Sequence, residues 1–502
     1  MTRLILSGNA VLAAMFSVLF VAPFNARSQG LNNLWMGGYE DESPPPWGGV
    51  DLDFLSGALV ITTATRTMDY KRTNTNITDG EGDLLISTNG AYLANATGDT
   101  LLNGTGLNPS NYTSNYPEGL HVQQAVLILP KPGSSNIYYL FHSTIDDQVD
   151  YFAQRLYITT IDMSLDGGLG GVVTKNQIAI DSLLTVGKIT AVRHANGRDW
   201  WVLCHAFDTP VYYTLLVTPD GVAQSQSQSI GIVRSAGGGQ VCFSPDGSRF
   251  AFSSPRPAEG LEVFDFDRCT GLLSDPHFAP LPVDFGAGGV AFSANGRYLY
   301  NTLAEKVYQY DVEAPDLAAS QTLIATWDGF YSPSPPFATM FDIAQLAPDG
   351  KIYISTGNGT LHLHVINAPD SGGLACDMVQ HGLELPRYFV NSLPNHPNYH
   401  LGPLAGSPCD TLGLGMQEVQ AQLHASAYPN PNNGAFTLSY TPQLVAGILE
   451  VRDLAGRLVF SERLPAWSQV HQVELHNAPA GLYHCRLQWG VRTSNVRVIL
   501  QP

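Results

Sequence analysis

The sequence predicts an all-β fold, with a β-propeller followed by a small immunoglobulin-like β-sandwich. Three observations predict it. A hairpin pattern recurs about every fifty residues, no convincing amphipathic helix longer than three turns precedes residue 404, and short alternating strands fill roughly the last seventy-five residues. A repeat of about fifty residues built from strands and turns is typical of propeller blades.

The repeat is clearest at residues 242–254, where apolar residues alternate on both sides of a Pro-Asp-Gly turn. The same pattern returns twice further along the chain, and a looser copy precedes it. The glycines of the four turns are separated by 50, 49 and 54 residues. The predicted blade-turn residues are Gly197, Asp246, Gly247, Asn295, Gly296, Asp349 and Gly350.

Two earlier hairpins, which turn near residues 82 and 136, extend the repeat towards the N-terminus. Together with a strand-like tail near residue 398, they predict seven blades over residues 29–403, with six blades as the alternative. The innermost strands of the blades are expected at residues 49–54, 122–129, 188–192, 240–244, 289–293 and 342–347.

The start of the propeller is expected to be irregular, because the triple proline within residues 29–47 is incompatible with a helix or a central strand. Strands follow at 49–54 and 58–66. We expect these strands to complete the last blade beside the C-terminal tail, since ring closure removes free sheet edges. The polar loop at 103–116 is expected to be exposed at a blade rim.

Residues 1–28 are typical of a secretory signal peptide. Arg3 supplies a positive start, residues 10–24 are almost entirely apolar, and small residues at 26–28 suit cleavage before Gln29. The apolar run is short for a membrane span. After removal of this signal, the sequence predicts no transmembrane segment.

Charge excludes one class of partner. The formal net charge is −18, and only 14% of the residues are charged. A chain this acidic repels phosphate backbones, so we expect no nucleic acid to bind. Diffuse acidity of this kind indicates solubility and identifies no substrate.

Six cysteines are compatible with disulfides in an exported protein, and none of them forms a CxxC pair. A bridge between Cys376 and Cys409 is the pairing we expect, with buried free thiols in strands as the alternative. Five cysteines precede residue 427 and one, Cys485, follows it. If the domains are not cross-linked, at least one thiol in each part stays free.

Residues 404–426 are predicted to be a linker, with one helical turn at 417–423, and residues 427–502 a β-sandwich. Three spaced motifs, YPNPNNG, VRDLAGRLVF and AGLY, make this last stretch resemble the C-terminal sorting domain of type IX secretion cargo from Bacteroidetes. The residues that carry the resemblance are Tyr428, Pro429, Asn430, Pro431, Gly434, Asp453, Gly456, Gly481 and Tyr483. One departure is the ending, since many relatives finish with a lysine-bearing strand and this chain has Arg497.

The resemblance implies a route and a partner. The signal peptide takes the chain to the periplasm, and the type IX translocon reads the sandwich. The cargo is then secreted or held at the outer-membrane surface. The blade repeats also resemble WD40-like and lactonase-like propellers, which implies a fold and no particular site.

Candidate metal ligands are few. Asp79, Glu81 and Asp83 alternate as in a calcium loop, but the downstream glycine and glutamate of an EF-hand are missing, so a hairpin turn is favoured. His362 and His364 are expected to share one face of a strand. A third ligand from another blade would complete a metal site there. The favoured interpretation is that both side chains belong to a polar face exposed to water. No catalytic, cofactor-binding or metal residue is assigned.

Two functions follow from these patterns. The first is a non-catalytic scaffold whose loops bind a protein or a glycan. The alternative is a hydrolase or lactonase with a divalent cation, such as Ca²⁺, in the central channel. Acidic or histidine side chains on several innermost strands would indicate the enzyme. The predicted innermost strands carry mostly apolar or small residues, which favours binding. The pairs Trp200-Trp201 and Tyr212-Tyr213 are candidates for stacking on sugars, although one member of each pair is expected in the core.

Overall fold

The computed structural model describes residues 30–40, 43–146, 152–235, 237–282, 286, 288–390, 392–410, 425–440, 446–465, 468, 470–476, 478–490 and 492–501. They form two compact units, Met1–Thr411 and Leu412–Pro502. Among these residues, no helix has the length and apolarity that crossing a membrane requires. The predicted signal peptide and the helical turn at 417–423 lie outside the described residues.

The described part of the first unit contains seven antiparallel sheets, and each sheet is one blade of a propeller. Blade 1 contains β1 (Leu34–Tyr39), β2 (Gly48–Asp53) and β3 (Val60–Ala64), and blade 2 contains β4 (Thr75–Thr78), β5 (Leu84–Thr88) and β6 (Leu93–Asn95). A short helix, α1 (Asn111–Asn115), follows blade 2.

Blades 3 to 7 have four strands each, in sequence order from the axis outwards. Blade 3 contains β7 (Val126–Pro130), β8 (Ile137–His142), β9 (Phe152–Asp162) and β10 (Gly171–Thr185), and blade 4 contains β11 (Thr190–Arg193), β12 (Trp200–His205), β13 (Thr209–Thr218) and β14 (Gly221–Arg234). Blade 5 contains β15 (Gln240–Phe243), β16 (Arg249–Ser253), β17 (Leu261–Asp267) and β18 (Leu272–Ala279). Blade 6 contains β19 (Gly289–Phe292), β20 (Tyr298–Leu303), β21 (Lys306–Asp311) and β22 (Thr322–Thr326), and blade 7 contains β23 (Phe341–Leu346), β24 (Ile352–Thr356), β25 (Thr360–Ile366) and β26 (Met378–Phe389).

The first strands of neighbouring blades contact one another around the axis, as β15 does with β19 and β19 with β23. Apolar side chains from the facing sides of adjacent blades form most of the core, and Leu393, Tyr399 and Leu401, which follow blade 7, add to it. The propeller prediction is therefore confirmed, and the sheets give the preferred count of seven.

Blades 7 and 1 close the ring by packing, without a shared strand. The rings of Trp35 and Phe54 lie 5.9 and 5.7 Å from that of Tyr353. The Tyr388 N–H also donates to the Pro46 carbonyl at 2.8 Å. The expectation that residues 49–66 complete the last blade was wrong, because β2 and β3 pair with β1 in a sheet of their own.

Strand β1 lies within the stretch expected to be irregular, so residues 49–54 form the second strand of blade 1 rather than its innermost one. Strand β1 is hard to recognise in the sequence because it contains two glycines. A Cβ on Gly37 would occupy the space of the Phe389 ring, and Gly38 has φ +87°. The loop at 103–116 is also less exposed than expected, because Leu107 and Tyr112 are buried.

Residues 393–404 cross the middle of the ring and bind several blades. The contacts of this tail are the Asn395 N–H on the Asn74 carbonyl, the Tyr399 hydroxyl on the Ile128 carbonyl, the Asn398 amide on the Pro245 carbonyl and the Leu404 N–H on the Ala195 carbonyl, at 2.7–2.9 Å. These partners belong to blades 2, 3, 5 and 4. The tail therefore fills part of the central channel and fastens the ring from inside.

A disulfide between Cys269 and Cys409, which lies just beyond the tail, holds this part of the chain to the turn between β17 and β18. The expected Cys376–Cys409 pairing was wrong, since Cys376 is a buried free thiol. Cys485 is free and buried, as expected for the odd cysteine of the second unit.

The second unit is a sandwich of two antiparallel sheets. One sheet contains β27 (Ala425–Tyr428), β28 (Ala435–Tyr440) and β31 (Val470–Glu474), and the other contains β29 (Gly447–Asp453), β30 (Leu458–Leu464), β32 (Gly481–Trp489) and β33 (Arg492–Leu500). Alternate residues of β29, β32 and β33 are buried between the sheets, among them Leu449, Cys485 and Val498. This period of two confirms the predicted β-rich C-terminal domain.

Candidate functional site

A cavity of about 650 Å³ lies on the propeller axis beside the tail. Its walls are the first strands of blades 4 to 7, and the tail residues Asn395–Asn398 close the side towards blades 2 and 3. Pro245, Pro348 and Asp349, which belong to the hairpin turns after β15 and β23, stand at its edge. The cavity therefore opens on the side of the blade turns.

The closed end of the channel is sealed by buried amide side chains. Gln240 on β15 accepts from the N–H groups of Val290 and Ala344 at 2.9 and 3.0 Å and donates to the Ala344 carbonyl at 2.7 Å. This one side chain therefore joins three blades, and it uses both acceptor positions of its oxygen and one of its two N–H donors in doing so.

Gln124, just before β7, makes the matching link on the other side of the axis. It accepts from the Val241 N–H and donates to the Val241 carbonyl, both at 2.9 Å. Asn395 of the tail donates to the carbonyls of Val126 and Ile189 at 2.8 Å. Backbone groups at the inner edge of a blade lack a strand partner, and these amides satisfy them.

The backbone groups that these amides bond have counterparts two residues further along the first strands of blades 5, 6 and 7. These counterparts line the cavity. Backbone N–H and C=O groups alternate between the two sides of a strand. Because those of Val241, Val290 and Ala344 point to the axis, those of Phe243, Phe292 and Leu346 do so as well. No side chain of the described residues bonds these three groups except the Cys242 thiol, which meets the Phe292 N–H.

The acidic side chain and the two histidines that line the cavity form hydrogen bonds within the protein. The Asp349 carboxylate accepts from the Lys351 N–H at 3.1 Å and from the Tyr353 hydroxyl at 2.8 Å. His396 Nε2 bonds the Asn76 carbonyl at 2.8 Å, and burial lowers the pKa of His396 to about 4. His400 Nε2 meets the Asn32 side-chain oxygen at 3.2 Å, and burial lowers its pKa.

No group of three or more His, Cys, Asp or Glu side chains within the described ranges is placed to hold a metal ion. At the predicted calcium turn, the Asp79 carboxylate accepts from the N–H groups of Glu81 and Asp83 at 3.0 and 2.9 Å. This arrangement is an Asx turn within a hairpin.

His362 and His364 lie on β25 as predicted, but their surroundings differ. His364 is fully buried, with Nε2 on the Thr339 carbonyl and Nδ1 accepting from the His381 N–H, and burial lowers its pKa to about 3. His362 is half-buried and bonds Ser332 at 2.7 Å. The rings of His362 and His381 flank Phe330, and His381 Nε2 bonds Asp328 at 2.9 Å. A rim cluster of aromatic rings results.

The aromatic pairs considered as sugar platforms belong mainly to the core. Trp200, Trp201 and Tyr212 are at most 2% exposed, and only Tyr213 is half-buried. Trp201 Nε1 donates to the Arg268 carbonyl. Neither pair can stack on a ligand from solvent.

The residues predicted to form blade turns occupy the hairpins between the first and second strands of blades 4 to 7. Gly197, Gly247, Gly296 and Gly350 have φ between +71° and +81°, a conformation that favours glycine. Asp246 caps its turn by accepting from Ser244 and Ser248, and Asn295 and Asp349 accept from the N–H two residues on.

The predicted sorting-motif residues are spread along the sandwich. Asn430 bonds the backbone of Arg497 and Ile499 at 2.8 Å, which ties the first motif to β33. Asp453 accepts from the N–H groups of Ala455 and Arg457, and Gly456 has φ +78° in the same turn. The other motif residues are placed as follows: Tyr428 is 80% exposed, Pro429 and Pro431 follow it in the same loop, Gly434 has φ +105°, Gly481 begins β32, and the buried Tyr483 donates to the Pro479 carbonyl.

Sequence reasoning missed Gln124, Gln240 and Asn395, the amides that seal the channel. Gln240 does stand at a readable position, since it follows a glycine-rich connector between blades and begins a predicted innermost strand. A polar residue at the buried end of an apolar strand was the available signal.

Comparison with known proteins gives one family match. Residues 426–501 match the family described as secretion system C-terminal sorting domain. No curated protein sequence matches the chain.

Several solved structures are similar in fold. A putative 6-phosphogluconolactonase from Bacteroides fragilis is 12% identical, with 74% of this chain and 99% of that chain covered and a TM-score of 0.43. A protein from Lactobacillus plantarum is 13% identical, with 72% and 99% covered and a TM-score of 0.40. A putative 6-phosphogluconolactonase from Bacteroides uniformis is 11% identical, with 89% and 100% covered and a TM-score of 0.38.

Proposed function

We propose that this chain, which ends in the sorting domain of type IX secretion cargo, delivers a non-catalytic binding propeller to the cell surface or the medium. The type IX translocon is the partner of the sandwich. The propeller itself binds a protein or a glycan, and the signal peptide supplies the first export step.

One observation carries the choice of binding over catalysis. The polar side chains nearest the axis are spent on the protein itself, as the bonds of Gln240, Gln124 and Asn395 to the backbone of several blades illustrate. A general acid or base must reach the substrate with a proton to give or take. Asp349 is engaged by Lys351 and Tyr353 instead.

The alternative function, a lactonase, would require a divalent cation bound at the same cavity. A divalent cation on the axis would need oxygen ligands from several blades. Asp349 is the only acidic side chain among the described residues that line the cavity. The equivalent turn residues of blades 5 and 6, Asp246 and Asn295, do not line it and accept hydrogen bonds within their own turns.

The test uses the purified secreted protein in two assays. Arrays of glycans and peptides measure binding, and a panel of sugar lactones with and without added Ca²⁺ measures turnover. The proposal predicts binding to at least one class of array ligand and no turnover above the buffer rate. Ca²⁺-dependent lactone hydrolysis that is lost on Asp349→Asn substitution would establish the enzyme instead.

A further inference from the structure

We propose that the axial cavity binds an uncharged sugar unit of a glycan. The inference rests on the proposed binding function and narrows it to one ligand class and one site. It is drawn from the size, the wall chemistry and the charge of the cavity.

Size is the first argument. A volume of about 650 Å³ lies in the range of roughly 300–1,000 Å³ that ligand pockets occupy. The tail and the buried amides close one end, and the turn side opens to solvent. A mono- or disaccharide at the end of a longer glycan can therefore enter while the rest of the glycan stays outside.

The wall supplies donors and acceptors in alternation. Phe243 and Leu346 present backbone N–H and C=O groups that no neighbouring strand pairs, whereas the N–H of Phe292 is already bonded by the Cys242 thiol. A ligand with many hydroxyl groups, each both a donor and an acceptor, satisfies such a wall. A purely apolar ligand would leave these backbone groups unpaired, at a cost in binding free energy.

His396 lines the cavity but adds no accessible acceptor. Its Nε2 bonds the Asn76 carbonyl and therefore carries the proton, so Nδ1 keeps a lone pair. Nδ1 is inaccessible to a water-sized molecule and has no partner among the described residues. The backbone groups of the first strands therefore supply the polar contacts of the wall.

The wall also has apolar surface that suits the carbon face of a sugar ring. Phe243, Leu346 and Pro348 line the cavity and are only half-buried, so they present an aromatic ring and two aliphatic side chains to it. Mixed walls of this kind are usual in pockets for small organic ligands.

Charge argues for a neutral ligand. The lining residues of the cavity include no Lys or Arg among the described positions, so a phosphate or carboxylate would find no cation. The carboxylate of Asp349 would repel such anions. A phosphorylated sugar is therefore disfavoured relative to its uncharged counterpart.

The test is isothermal titration of the full mature protein with cellobiose, maltose and chitobiose, and with glucose 6-phosphate and glucuronic acid as charged probes. We expect at least one neutral disaccharide to bind in a 1:1 ratio, and at least ten-fold weaker binding of both charged probes. If none of the three neutral sugars binds at concentrations up to about 10 mM, the inference is overturned.

Two substitutions test whether the sugar binds in the cavity. Leu346→Trp narrows it from the wall, and Pro348→Trp obstructs its edge from a half-exposed turn where folding is less at risk. The matched control is Leu323→Trp, on the outer strand β22, where the side chain is 47% exposed. We expect at least a ten-fold loss of affinity in either cavity variant that keeps the wild-type circular dichroism, and no change in the control.

The outcomes separate the two proposals. If neutral sugars bind equally well to the wild type and to both cavity variants, the cavity assignment is wrong and the binding function stands at another surface. If no array ligand and no sugar binds, both are wrong.

Discussion

Gln240 shows how a single side chain can hold a ring of blades together. Its amide satisfies three backbone groups, on blades 6 and 7, at a position that is 3% exposed. A buried backbone group that loses its partner costs about 1–3 kcal/mol, because it can no longer bond water either. The residue therefore contributes more through the bonds that it completes than through its own burial.

We expect Gln240→Leu to lower the free energy of unfolding by about 3 kcal/mol or more, since it leaves several buried groups unpaired. The matched control is Gln380→Leu, which removes two amide bonds to the backbone of the exposed residues Thr326 and Asp328. There water can replace the lost partner, so we expect less than about 1 kcal/mol. Urea denaturation measures both, and equal losses would refute the role of the axial amide.

The tail and its disulfide act at the scale of an element. Residues 393–404 bond four blades from inside the ring, and the Cys269–Cys409 bridge closes a loop with a sequence separation of 140 residues. A cross-link over a long loop restricts the unfolded chain and stabilises the fold. The bridge also keeps the cavity wall formed by the tail in place.

We expect the double substitution Cys269→Ser and Cys409→Ser to lower the free energy of unfolding by about 5 kcal/mol, as the loop length predicts. The control is Cys204→Ser, a buried free thiol in β12, which changes no covalent bond. Guanidinium unfolding with and without reductant measures the effect. If reductant destabilises the double variant as much as the wild type, the loss does not come from this bridge.

The elements differ in how well the sequence predicts them. Blade turns are readable because a glycine at positive φ and an Asp or Asn beside it are local requirements, as at Asp246 and Gly247. Strand β1 could not be predicted because its glycines are required by residues distant in sequence, such as Phe389. The path of the tail could not be predicted for the same reason, since the partners of Asn395 lie some 200 to 320 residues away in sequence.

The candidate site follows the same rule. The sequence indicates which strands are innermost, and hence that their side chains are mostly small or apolar. It does not show that backbone groups of Phe243 and Leu346 face an open cavity. That depends on where the tail lies, which is settled by long-range hydrogen bonds rather than by any local pattern.

At the scale of the whole molecule, buried histidines make stability depend on pH. His142, His205, His364 and His396 lie in blades 3, 4 and 7 and in the tail, and burial lowers their pKa values to about 3 or 4. In the unfolded chain, each histidine takes up a proton near pH 6.5. The stability of the fold is therefore not reduced by these histidines above pH 6.5, and it falls as the pH is lowered towards 4.

We expect the free energy of unfolding to fall by about 1 kcal/mol per buried histidine between pH 7 and pH 5.5. Urea titrations at several pH values measure this slope. The variant His205→Asn should show a shallower slope by up to about one proton, because asparagine does not titrate. His205 suits the test because its Nε2 has no partner among the described residues and Nδ1 bonds only Thr185. A stability that is constant over this range would show that these side chains are accessible to protons in the folded state.

The channel of the seven-bladed ring is closed at one end by amides and the tail, and we propose that the cavity beside the tail binds a neutral sugar. A crystal structure of the mature protein with Ca²⁺ and the neutral disaccharide that binds most tightly in titration tests this proposal most directly. We expect the disaccharide beside the tail, with hydroxyl groups on the backbone of Phe243 and Leu346. A cation held by side chains on the axis, or an empty cavity at a saturating sugar concentration, would contradict it.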